Sequence, residues 1–372
     1  MTEENPSFRD LNLRVFQRLP LPHVFFQPRI EPWFQWHAQR GLLPPDLQGL
    51  DLPQAFDVLP AGMRYLNYWT GIPNAWVKTH DPVVKIDSHS DSNGSFWRCA
   101  TPYGELTETR QVNDQGSWRI TARLVKGPED FKSVRWLYEH TRFVFSDEIF
   151  ERGCQFVGER GAAQFFLPRS PYQALAIELM NFSDLVYALA DYREEIELVM
   201  SAIDTAVDPL FVQVAASGKV PIIGFGENVE AQLLSPRYFE RYLLPYYTKR
   251  VAQLRQAGIF THLHIDGNFR TLLRFFKDLP FDGLEALTPF PMGDATLEDI
   301  REHIGDKILL DGLPAIYFMD TFPVEELWAA VEKMTAYFHP RLVMGISDEL
   351  PQGGGLVAWE RCKQVAKWCL TH

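Results

Sequence analysis

The strongest restriction on this fold is an alternation that runs through the second half of the chain. Amphipathic helical stretches are each followed by a short apolar strand. SPRYFERYLLPYYTKRVAQLRQAG, ending at Gly258, precedes IFTHLHIDG, and NFRTLLRFFKDL precedes FDGLEALTP. TLEDIREHIG then leads into KILLDG, and PVEELWAAVEKMTAYF into RLVMGISDELP. Apolar strands alternating with helices at this spacing predict βα units on a parallel sheet. For 372 residues the expected α/β architecture is a (β/α)8 TIM barrel. A doubly wound sheet is the alternative, but no Gly-x-Gly-x-x-Gly follows an early strand.

Upstream the texture differs. Residues 1–75 are rich in Pro and aromatics (LPLPHVFFQPRIEPWFQWHAQRGLLPPDLQGL). They predict short helices forming an extension over the barrel mouth, with 76–372 as the barrel. VVKIDSHS and SFWRCATPYGELTETRQV, with a turn at DSNG, and then SWRITARLV predict an inserted antiparallel hairpin. PEDFKSVRWLYEHTRF reads as helix, AAQFFLP as strand, and SPYQALAIELM as a helix capped by Ser170 with Pro171 at its first position. SDLVYALADYREEIELVMSAIDTAVDPLFVQVAASG reads as a long helical region, followed by the strand VPIIGFGE.

Composition narrows the class. With 46% hydrophobic residues the chain can bury a large core, and a net charge of −12 argues against nucleic acid or an anionic membrane as main partner. The start lacks a basic segment followed by an apolar run, and no uninterrupted apolar stretch approaches about 18 residues. Cys99, Cys154, Cys362 and Cys369 lack CxxC spacing and are expected as reduced thiols. The expected location is the cytoplasm, and a homodimer is compatible with the sequence.

Barrel enzymes place their chemistry at the carboxyl ends of the strands. Those positions carry Glu227, His264 with Asp266, Glu285, Asp311, and Asp348 with Glu349. Each acid alone could cap a helix or make a turn; recurrence over five strands argues for a shared site. His262 and His264 are two apart on a strand and face one side, and spacing leaves open which of them is functional. His264-x-Asp266 sets two side chains about 6–7 Å apart, suited to sharing zinc, or equally iron or manganese.

SPRYFERYLLPYYTKRVAQLRQAGIFTHLHIDGN, together with TPYGELTE, GDKILLDGLPA and GISDELP, resembles the uroporphyrinogen decarboxylase superfamily. That family pattern has Ser-Pro, an aromatic-rich helix with internal proline, a Gly, and a strand ending His-x-Cys-Gly-Asn. The resemblance implies a TIM barrel. PHVFFQPRIEPWFQW lacks the arginine-rich grip of the true decarboxylases, so the implied branch is the corrinoid-dependent methyltransferases. Carried over, the zinc ligands would be His264, Asp266, Glu285 and Asp348, with Glu349 able to replace Asp348, at about one zinc per chain.

Carboxylates in place of thiolates leave a metal more Lewis-acidic, which suits an oxygen leaving group. The implied activity is therefore methyl transfer from an O-methyl donor, an aryl methyl ether among the candidates, to the cobalt of a separate corrinoid (cobalamin) protein. Glu227 and Asp311 would act catalytically, and Phe25, Phe26, Trp33 and Trp36 would shape the donor pocket. The rivals are metal-free decarboxylation of a porphyrinogen, with Glu227 or Asp311 holding pyrrole NH groups, and a non-catalytic binding protein.

Overall fold

The computed structural model describes residues 6–112 and 118–372. In chain order its strands are β1 (Phe25–Phe26), β2 (Trp76–His80), β3 (Lys85–Ser90), β4 (Gly94–Thr101), β5 (Gly104–Val112), β6 (Trp118–Ala122), β7 (Thr141–Phe145) and β8 (Phe166–Leu167). There follow β9 (Ile222–Val229), β10 (Phe260–Ile265), β11 (Gly283–Glu285), β12 (Ile308–Leu310), β13 (Leu313–Pro314), β14 (Leu342–Met344) and β15 (Ile346–Ser347). Contacts gather the described chain into two units. One holds residues 6–75, Ser146–Leu167 and Ser217–His372; the other holds Trp76–Phe145 and Pro168–Ala216.

The first unit contains a seven-stranded sheet in the order β1-β14-β12-β11-β10-β9-β8, with all pairings parallel. The α/β class and parallel sheet are as expected; among the described residues the strand ladders run through seven strands and do not by themselves close an eight-stranded barrel. Beside the end strands runs the irregular segment 62–66. Gly62 N donates to Phe26 O at 2.8 Å, Gln164 N to Arg64 O at 3.0 Å and Leu66 N to Gln164 O at 2.9 Å. It bridges singly instead of forming a ladder. Pro60 has no N–H to give, and Gly62 lies so close to the Phe25 ring that a Cβ would stand 2.7 Å from it.

The segment before residue 75 is part of this unit and contributes a strand to its sheet. Its first helix, Phe8–Phe16, starts with a capping box between Ser7 and Asp10. Leu11, Val15 and Phe16 pack with Ile222, Ile308 and Phe260, residues at the starts of their strands. This helix therefore lies against the starts of β9, β10 and β12, with Leu310 and Val343 in the same cluster.

The second unit holds the antiparallel sheet β3-β4-β5-β6 and the ribbon β2-β7, a larger insertion than one hairpin. The DSNG turn forms because Asp91 Oδ1 accepts from Asn93 N at 2.7 Å and Gly94 N at 3.0 Å. The start of the expected strand SWRITARLV, Ser117, lies outside the described residues. The helix expected to continue to Phe143 stops at Glu139. TRFVF, β-branched and aromatic, pairs with β2 instead. Helix Arg193–Ser217 is, by length and composition, apolar enough to cross a membrane, contrary to the expectation from uninterrupted runs. Its buried Ile196, Val199, Ile203, Val207, Leu210 and Val214 recur at helical spacing, the pattern of a core helix. All four cysteines are free; Cys99, Cys362 and Cys369 are buried and Cys154 is half-buried.

Candidate functional site

Two arginines that the strand-end reading passed over organise the site. Arg64, in the bridging segment, is 1% exposed. Its Nη1 donates to Glu285 Oε1 at 2.6 Å and Asp311 Oδ2 at 2.9 Å, its Nη2 to Asp311 Oδ1 at 2.9 Å, and its Nε to Gln27 Oε1 at 2.9 Å. Arg29, also buried and just beyond β1, ion-pairs with Asp348 and lies 3.9 Å from Asp311. Tyr65 OH donates to both Glu285 oxygens, at 2.6 and 2.7 Å. A planar guanidinium joining two carboxylates is the geometry that keeps buried charges compensated.

As the spacing predicted, His262 and His264 face one side: both Nδ1 atoms approach Glu285 Oε2, at 3.2 and 3.4 Å. His262 is anchored from behind, its Nε2 lying 2.8 Å from Gln164 Oε1. Gln164 Nε2 donates to Asn12 Oδ1 at 3.2 Å and Gln27 Nε2 to the same oxygen at 3.4 Å. Asn12, Gln27 and Gln164 thus tie His262 back to Arg64, so two of the partners of Glu285 are held by one buried network.

Burial works against ionisation of Glu285, but His262 and Arg64 hold its carboxyl well below the usual range. Asp311 goes the other way: burial raises it, with the Glu285 charge adding to that. Burial pushes Glu31 up to about 8, against the opposing influence of its own backbone amide and then of Arg29 and Arg64. Glu31 is wholly buried and no other residue donates to either of its carboxyl oxygens. Tyr68 OH donates to Glu349, and the Arg29 guanidinium stands 5.5 Å from the Tyr68 ring.

Asp311 adopts φ +67, uncommon for a non-glycine residue, and Gly345 makes room for it. A Cβ on Gly345 would stand 2.2 Å from Asp311 Oδ1 and 3.1 Å from Gln27 O. Gly345→Ala is therefore expected to disturb the Asp311–Arg64 pair and destabilise the protein by about 1–3 kcal/mol. Gly353→Ala, whose Cβ would meet only the Met319 methyl at 3.7 Å, is the neutral comparison. Equal melting temperatures for the two variants would contradict this account.

The structure brings together His264, Glu285, Asp311 and Asp348, but not the expected ligand set. Asp266 accepts from Gly267 N at 2.8 Å and Asn228 Nδ2 at 3.0 Å, which makes it a turn residue. Glu349 is taken by Tyr68. His264 Nε2 comes within 4.0 Å of Asp348, which also faces the Arg29 guanidinium. Among the described residues no three His, Cys, Asp or Glu side chains gather as a metal site. This donor set does not fit a resident zinc, because guanidinium and phenol groups occupy the carboxylate oxygens a cation would need.

Other expected roles also shift. Glu227 is buried on β9 and accepts from Tyr247 OH at 3.1 Å, a partner on the covering helix. Phe25 belongs to the core beneath the site, and Phe26 is buried beside it. Trp33 stacks on Trp359 at 5.5 Å. Trp36 lies under Arg40 at 4.3 Å. Packing accounts for these contacts; none of them is with the arginine–carboxylate cluster.

A buried, charged cluster at the carboxyl ends of parallel strands defines this as an α/β protein with the site layout of barrel enzymes. Residues 170–343 match the family model "Uroporphyrinogen decarboxylase (URO-D)", bearing out the resemblance to that superfamily read from the sequence. Among solved structures, a methyltransferase from Methanosarcina mazei is similar over 98% of this chain and 99% of its own, at 14% identity and a TM-score of 0.58. A B12-independent methionine synthase from a Shewanella species aligns over 86% of each chain at 10% identity and a TM-score of 0.39. No curated protein matches this chain in sequence.

Proposed function

We propose that this chain is a methyltransferase that takes a methyl group from an O-methyl donor, such as an aryl methyl ether, and passes it to the reduced cobalt of a corrinoid protein. The superfamily match and the fold shared with a methyltransferase support the class. The observation that carries the oxygen leaving group is Glu31, a fully buried carboxyl that no other residue's donor reaches, in the field of Arg29 and Arg64.

In the proposed reaction the methyl carbon bonds to the acceptor cobalt, which goes from the one-plus to the three-plus state. The C–O bond breaks with its electron pair left on oxygen. Protonated Glu31 gives that oxygen its proton, and Arg29 offsets the negative charge that develops before the proton arrives. Exclusion of water strengthens both effects.

The buried arginines also favour a second reading, decarboxylation of an acidic porphyrinogen. Their engagement with Asp311, Glu285 and Asp348 weighs against it, since few donors remain for substrate carboxylates. Cob(I)alamin mixed with enzyme and 4-methoxybenzoate should form methylcobalamin, read from its absorbance, with well under one zinc per purified chain and no inhibition by chelator. Zinc near one per chain, lost in His264→Ala, would restore the metal reading. Carbon dioxide release from uroporphyrinogen, with no methylcobalamin from any O-methyl compound, would establish the rival.

A further inference from the structure

The second unit contains a cavity of 520 Å³, a size common for small-molecule sites. Strand register explains its walls. Trp97 is opposite Glu108, and Arg110 is opposite Ile120, so alternation puts these four on one face of the antiparallel sheet. On the β2-β7 ribbon, Lys78 pairs with Phe143 and His80 with Thr141, which places their side chains on one face as well. Residues from both faces line the cavity, with Tyr138, Leu124 and Ile177 completing it.

Most of the charge in this cavity is already matched. Arg110 Nε donates to Glu108 at 2.7 Å, Arg169 Nη1 to Glu178 at 2.7 Å, and His80 Nδ1 lies 2.9 Å from Thr141 Oγ1. Lys78 differs: among the described residues its ammonium has no ion-pair or hydrogen-bond partner. It stands 5.6 Å from the Tyr138 ring centroid and 5.2 Å from that of Phe143. Aromatic faces hold a cation in place but do not neutralise it. Lys78 is exposed on β2; desolvation by the cavity walls lowers its pKa, while Glu178 and Glu108 act the other way without touching it, so a partner in direct contact is what this cation lacks.

We propose that this cavity binds a small aromatic monocarboxylate, with the carboxylate on Lys78 and the ring against Trp97 and Tyr138. One unmatched cation sets a single negative charge on the ligand, and the aromatic and aliphatic walls set its apolar body. The site is independent of the reaction proposed above and stands whether or not that reading holds.

Calorimetric titration of the full chain with 2-naphthoate is expected to give one saturable site. The neutral isostere 2-naphthamide should bind at least tenfold more weakly, as should 2-naphthoate to Lys78→Met. Lys78→Arg should bind within a few-fold of the parent. Absence of saturable binding, equal affinity for acid and amide, or unchanged affinity in Lys78→Met would each overturn the proposal. Should Lys78→Met fail to fold, the acid–amide comparison on the unaltered chain decides alone.

Discussion

Arg64→Met should destabilise the protein by about 3–5 kcal/mol, the usual cost of removing one partner from a buried ion pair. Arg64 donates four of the bonds that hold the cluster, two to Asp311 and one each to Glu285 and Gln27. Methionine keeps much of the stem volume, so the loss is electrostatic more than one of packing. Glu285 and Asp311 are both fully buried, and without the guanidinium their charges would face each other in a low dielectric.

A second substitution separates this cause from simple misfitting. Asp311→Asn added to Arg64→Met removes one of the two opposed carboxylates and should recover part of the loss, a coupling that a double-mutant cycle reads directly. Unfolding should be followed by a probe inside the first unit, because a chain with two units need not unfold in one step. A loss under about 1 kcal/mol for Arg64→Met, or no recovery in the double variant, would remove Arg64 from the centre of this site.

Glu31→Gln should lower methyl transfer by about 10²–10⁴-fold, the usual contribution of a positioned proton donor. The amide keeps the shape and cannot release a proton. Infrared difference spectra give a readout independent of turnover: the parent protein should show a protonated carboxyl band at neutral pH that is missing in Glu31→Gln. If the band is present and activity unaffected, Glu31 is protonated but catalytically idle. If the band is absent from the parent, the buried-acid assignment itself fails.

Stability should follow pH in a direction fixed by the same group. An acid raised to about 8 in the native state, against an ordinary 4.5, stays protonated when folded while the unfolded chain ionises. Its contribution is complete below about pH 4.5 and is lost as pH rises towards about 8. Glu31→Gln has no proton to lose there, so its stability relative to the parent should rise across that window by about 2–5 kcal/mol. A difference independent of pH would contradict the buried acid.

The sequence by itself determined the α/β class and the run of strand–helix units from Phe166 onward, but not the strand that Phe25 and Phe26 add beside Val343 and Met344. Short apolar strands between amphipathic helices can bury their surface in few other ways, and local periodicity carries that information. It determined that His262 and His264 share a face, because a strand allows nothing else, and that Glu285 and Asp311 end their strands. The two arginines left a fainter trace: QPRIEPW and PAGMRYLNY each set a cation within apolar and aromatic neighbours, a pattern a solvated surface seldom has. Tertiary structure alone decided which group met which. Arg64 reaches Glu285 and Asp311 across 221 and 247 residues of chain, and no local spacing encodes such a contact. That pairing occupies oxygens of Glu285 and Asp311, Asp266 sits in a turn, and the same fold buries Glu31, which raises its pKa. Charge state and ligand choice follow from distance and burial, and both exist only once the strands have come together.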